Sequence, residues 1–184
     1  MSAQPWGLPT SVEIGGETFE IRTDYRVALD AITVLNDAEI GNAERASLLL
    51  DIIYPESDSI PLPCLREAVE RALWFIRGGS EERGKKAKLM DWSQDFQLIA
   101  APVNRVLGYE VRSCDYLHWW SFLAAYYEIG DCLFAQVVSI RKKLKGGKKL
   151  DKQDRQFYRE NKQLVDMRTP ISEEEAALFE QWVV

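Results

Sequence analysis

From Tyr25 onward, apolar side chains recur three or four positions apart in successive blocks, and nearly every block stops at glycine or proline. This spacing places one narrow apolar stripe on a helix of 3.6 residues per turn. Where little of the chain can form a sheet to cover them, such stripes leave water by packing helix on helix, so the period goes far toward setting the fold class. Tyr25, Leu29, Ile32 and Val34 to Leu35 form the first block, with Thr23 or Asp24 as its cap. Ala46, Leu49, Leu50 and Ile53 form the second, capped by Asn42 and ended by Pro55. Pro61 and Pro63 precede a third block through Leu65, Val69, Ala72 or Leu73, and Ile76, which Gly78-Gly79 closes.

The pattern resumes after a charged stretch, Ser80 to Lys88. Trp92, Phe96, Ile99, Val103 and Leu107 follow Asp91 as a cap, with Gly108 as the stop; Pro102 is expected to kink or split this helix. Ser113 or Asp115 is expected to cap an aromatic helix from Tyr116 to Ile129, ended by Gly130. Asp131 opens a further helix through Leu133, Phe134, Val137, Val138 and Ile140. Leu150 to Val165 reads as one charged helix with a thin apolar face of Phe157, Tyr158, Leu164 and Val165. Thr169-Pro170 breaks it, and the S-x-x-E box Ser172 to Glu175 caps a last helix carrying Leu178, Phe179 and Trp182.

Only the first residues depart from the helical period. Pro5 and Pro9 hold an extended arm, and two short alternating runs, Ser11 to Ile14 and Phe19 to Ile21, flank Gly15-Gly16-Glu17-Thr18. This predicts a hairpin with Val12, Ile14, Phe19 and Ile21 among its buried positions. The expected architecture is mainly α, a helical bundle with a short N-terminal β-hairpin. It divides into a hairpin-plus-helix body (1–140), a basic glycine-containing linker (141–150) and C-terminal helices (151–184).

Composition narrows the chemistry. The 184 residues are 46% hydrophobic and 28% charged, enough to build a core without disulfides or a metal. The charge sum, 23 − 29 = −6, makes nucleic acid an unfavoured partner. The basic run Arg141 to Lys149 then reads as a solvated linker, or as a contact for an acidic partner such as Glu173 to Glu175 of this or another copy. The first ten residues lack the basic and apolar regions of a secretory signal. Tyr116 to Ile129, interrupted by His118, Ser121 and Glu128, is shorter than the roughly 20 residues a membrane span needs. Cys64, Cys114 and Cys132 form an odd set without a C-x-x-C pair, as expected of free thiols in a reducing cytosol.

Few residues invite catalysis. Cys114 and His118 are four apart and would share a helical face, the spacing of a nucleophile pair, but no oxyanion motif accompanies them. With Cys132 they lack the paired short spacings of zinc sites. Asp91, Asp95, Glu110 and Asp115 read as caps and solvated faces. Gly15-Gly16 and Gly78-Gly79 fit turns and helix stops, and match no phosphate-binding pattern. The expectation is a non-enzymatic protein without cofactor or metal. Its distinctive feature is Leu117-His-Trp-Trp-Ser-Phe-Leu123. Trp119 and Trp120 point about 100° apart on a helix, one toward the core and one toward an interhelical groove. Trp119 and Trp120, with Phe179 and Trp182 on the last helix, are the candidate partner-binding residues.

The run from Leu8 to Arg26 (LPTSVEIGGETFEIRTDYR) resembles the opening of the bacteriophage "gene product fifteen" family of siphophages and prophages. Leu48 to Pro55 (LLLDIIYP), Glu67 to Phe75 (EAVERALWF), Leu117 to Phe122 (LHWWSF) and Asp154 to Tyr158 (DRQFY) follow in family order. The resemblance covers roughly residues 8–165. It implies a tail-morphogenesis protein of the host cytoplasm, encoded between the major tail protein and the tape-measure protein. The implied role is a tail assembly chaperone that coats the helical tape-measure protein until tube subunits displace it. An upstream tail chaperone, joined in some cases by frameshifting, and a second copy of the chain are further implied partners. The alternative is a structural tail or head–tail component retained in the virion.

Overall fold

The computed structural model describes residues 6–80 and 88–168. The expectations for residues 1–5, 81–87 and 169–184 lie outside the described residues; they include the Ser172 to Glu175 box, Phe179 and Trp182.

Strands β1 (Ser11–Ile14) and β2 (Glu17–Glu20) pair antiparallel, with Val12 opposite Phe19 and Ile14 opposite Glu17. Gly15 and Gly16 turn the chain with φ of +59° and +85°, the left-handed region that a tight two-residue hairpin turn requires. Strand alternation puts Val12 and Ile14 into the core, Ile21 joins them, and Phe19 packs at its margin. The Gly15 N–H donates to Glu67 Oε2 at 3.0 Å, pinning the turn to the third helix.

The helices follow as α1 (Tyr25–Asn36), α2 (Asn42–Ile53), α3 (Leu65–Ile76), α4 (Trp92–Leu107), α5 (Trp119–Tyr127), α6 (Leu133–Lys145), α7 (Lys152–Glu160) and α8 (Lys162–Val165). The mainly helical bundle with its N-terminal hairpin is the architecture the period predicts. Asp24 caps α1 by accepting the Arg26 N–H at 2.9 Å, and Asp91 caps α4 by accepting the Gln94 N–H at 3.1 Å. Gly78 and Gly79 follow α3, and Gly108 follows α4, as expected.

Five local expectations change. Gly41, not Asn42, occupies the cap of α2; the Asn42 side chain accepts from Arg45 instead. Pro102 lies buried within an unbroken α4, where packing outweighs one forfeited backbone bond. The aromatic helix starts at Trp119 with His118 as its cap, because Leu117 and His118 are drawn into extended pairing with Thr23 to Tyr25. Cys132, not Asp131, precedes α6. The C-terminal helix is two, α7 and α8, meeting at Asn161.

Most buried apolar residues form one cluster drawn from the hairpin and α1 to α6. A smaller one, Val137, Ile140 and Val165, holds α7 and α8 against α6, with Leu98, Phe157 and Leu164 at its margin. The basic stretch is not all linker: Arg141 to Lys145 are the last turns of α6, and only Gly146 to Asp151 connect onward. Cations there oppose the partial negative charge of the helix C-terminus.

Candidate partner-binding surface

The aromatic signature turns inward. Trp119 is 1% exposed, and its indole N–H donates to the Ile76 carbonyl at 2.9 Å. Trp120 is half-buried, lies over Gly79, and donates to the Phe75 carbonyl at 2.9 Å. Trp119 thus supplies a donor to the terminal carbonyl of α3, and Trp120 adds a second donor to the Phe75 carbonyl, which also accepts the Gly78 N–H at 3.0 Å. Trp119 is therefore a core residue, not a contact surface. Trp120 occupies the interhelical groove expected of one member of the pair, edge-on to Trp74 at 5.2 Å.

His118 is 4% exposed and fully engaged. Its Nε2 donates to the Pro9 carbonyl at 3.0 Å, and its Nδ1 accepts the Trp120 N–H at 3.0 Å. Cys114 lies before α5, and its thiol donates to the Val111 carbonyl at 3.0 Å. The two do not share a helical face, and the spacing argument for a nucleophile pair falls with the helix it assumed. Among the described residues no group of three His, Cys, Asp or Glu side chains is placed to hold a metal ion.

The backbone around the signature is equally committed. Trp119 N–H donates to Thr23 O at 2.7 Å, Tyr25 N–H to Leu117 O at 2.9 Å, and Leu117 N–H to Asp24 Oδ2 at 3.2 Å. Tyr25 stacks on Phe122 with centroids 4.9 Å apart. Segments from the opening run, α3 and α5 therefore meet at one junction, and the residues that carry the family resemblance there build structure.

Two residues expected at the surface are also withdrawn from it. Asp95 is 0% exposed and Arg141 is 5% exposed. Arg141 Nη1 and Nη2 contact Asp95 Oδ2 and Oδ1 at 2.6 and 3.0 Å. Its remaining donors reach the carbonyls of Leu89, Leu164 and Val165 at 3.2, 2.7 and 2.7 Å. All five guanidinium N–H groups are thereby used. Their positions share an apolar stripe, Asp95 with Trp92 and Ile99 and Arg141 with Val137, but the charge of each argues for the surface.

The open apolar surface lies elsewhere. α2 and α3 diverge around a groove of about 460 Å³ whose apolar lining includes Ala43, Ala46, Leu50, Leu62, Leu65 and Val69. Leu62, on the turn before α3, is 82% exposed at its edge. Small residues on α2 let another backbone approach closely, and the apolar floor would match a helical stripe. Its polar margin carries the Arg66–Glu70 pair at 3.4 Å and the Ser57 hydroxyl donating to Asp51 at 2.7 Å. Leu50 belongs to the main core cluster and Leu65 and Val69 pack against it, as the period predicts, while their outer edges line the groove. The groove runs between α2, the turn before α3 and α3 itself.

These features define a mainly helical protein whose aromatic signature is internal and whose described surface includes a helix-lined apolar groove. Among the described residues no helix is long and apolar enough to cross a membrane. The chain belongs to the bacteriophage Gp15 protein family, whose model matches residues 7–167. No curated protein and no solved structure matches it significantly.

Proposed function

We propose that this phage protein is a tail assembly chaperone that holds the helical tape-measure protein until tube subunits replace it. The observation that carries the reading is the α2–α3 groove: an apolar floor between two helices, with Leu62 82% exposed beside it. An amphipathic helix would lay its apolar face there and bury Leu62. Family membership supplies the phage setting. A repetitive helical client would offer many equivalent stripes, so weak single contacts suffice when many copies bind.

Co-expression with the tape-measure protein of the same phage tests the reading. The two should co-purify, and the client's soluble fraction should rise. Leu62→Glu with Ala43→Glu, both at exposed positions, should abolish co-purification while leaving far-UV circular dichroism unchanged. A well-folded wild-type protein that neither binds nor solubilises the client would refute the proposal. Stoichiometric recovery from purified virions would instead mark a structural subunit.

A further inference from the structure

A second recess, about 480 Å³, lies between the outer edge of β2 and the turn after α2. Glu17, Thr18 and Glu20 form one wall, and Pro55, Glu56 and Ser59 the other. The Ile21 N–H donates to Thr10 O at 3.0 Å, so alternate β2 residues, Phe19 and Glu17, face β1. The N–H and C=O groups of Thr18 and Glu20 therefore point outward along the recess. They make no bond there to any described residue. An open edge of this kind is a template for one more extended strand.

The recess also states a charge. Glu17, Glu20 and Glu56 are exposed, and none has an ion-pair partner among the described residues. Two such edges would repel one another, whereas a cationic extended segment would be drawn in. The same chain carries an exposed basic connection. Between α6 and α7, Lys148 to Leu150 have no helical or strand structure, and Lys148 and Lys149 are exposed. Lys142 and Lys152 flank them, also exposed; the ion pair at this end is Lys143 with Asp154 at 2.5 Å. The Lys148 N–H bonds Lys143 O at 2.9 Å, Leu150 packs on the small cluster and Asp151 caps α7, so what this connection presents outward is the pair of side chains Lys148 and Lys149.

We propose that the acidic β2 edge of one copy receives the Lys148–Lys149 segment of a second copy. Donor and acceptor are different surfaces, so the contact is head-to-tail and leaves each end of a pair open to another copy. The inference does not depend on the tape-measure reading, because neither surface belongs to the α2–α3 groove.

Sedimentation velocity of the full chain tests it across protein concentration and salt. The wild type should self-associate, with affinity falling at least ~10-fold as salt rises from ~0.05 to ~0.5 M, where screening shortens to a few ångströms. The edge variant Glu17→Lys, Glu20→Lys, Glu56→Lys should be monomeric, as should the loop variant Lys148→Glu, Lys149→Glu. Mixing the two should restore association, since each then meets an opposite charge. A monomeric wild type under all conditions overturns the proposal. So does association that survives both reversals, or a mixture of two well-folded variants that stays monomeric.

Discussion

Removing the carboxylate charge of Asp95 isolates the interaction that joins the C-terminal helices to the body. In the folded protein Arg141 is sealed from water and every N–H has an acceptor. Asp95→Asn keeps the shape but leaves a buried guanidinium without its counter-charge, which costs about 3–5 kcal/mol. Against a total stability of about 5–15 kcal/mol, that is a large fraction. With a urea m-value of about 2 kcal/mol/M, the midpoint should fall by roughly 2 M. Arg141→Met should cost a similar amount, because it strands the Asp95 carboxylate and frees three carbonyls. The double variant removes both charges at once and loses mainly the bonds to Leu89, Leu164 and Val165, about 1 kcal/mol each. It should therefore be less destabilised than the sum of the singles, with a coupling of at least about 2 kcal/mol. Urea unfolding followed by tryptophan fluorescence measures all three. Hydrogen exchange at the Asp166 amide, which bonds Lys162 O at 2.8 Å, reports separately on α8 and should accelerate in each variant. A single-variant loss below about 1 kcal/mol, or strict additivity, would refute the reasoning.

Two further outcomes follow from local geometry. The Glu110 carboxyl is held down to about 2, first by side-chain bonds from Arg112 and then by the Arg112 backbone N–H. A folded-state value below the unfolded one means its contribution is present above the ordinary carboxylate range and is lost as pH falls through about 2. Carboxylate NMR should give that low midpoint, and Arg112→Ala should return it toward the usual ~4.3; an ordinary midpoint in the wild type would disprove the arrangement. Gly79→Ala forces a side chain onto φ of +81° and brings its Cβ to 3.0 Å from Trp120 Cη2, whereas Gly16→Ala, at φ of +85°, meets open space. Each should destabilise by about 1–3 kcal/mol from backbone strain, with Gly79→Ala the worse of the two in chemical denaturation; equal losses would mean that Trp120 yields freely.

The sequence by itself determined whatever depends on neighbours a few residues away. The helical period located the apolar stripes of α1 to α6, since i, i+3 and i+4 positions share a face whatever they later touch. Asp91 was legible as a cap, and Asp24 as one of two candidates with Thr23, because a cap bonds an amide two or three residues on. The hairpin was legible because Gly15-Gly16 supply the backbone freedom of its turn. The thin face of Phe157, Tyr158, Leu164 and Val165 was visible too, although its split at Asn161 was not.

Tertiary structure decided what depends on residues far apart in the chain. Asp95 and Arg141 are 46 positions apart, and each alone reads as a surface charge; only the packing of α4 against α6 buries them together. Trp119 and Trp120 are equivalent by period, and the end of α3, 43 and 45 positions earlier, fixes both in place. The same holds for His118, recruited as a cap because Pro9, 109 residues away, accepts from its other nitrogen. Burial of charge, the partner an indole finds and the opening of a groove are properties of which surfaces meet. The local period is blind to them because it records which face a residue occupies and not what that face will find.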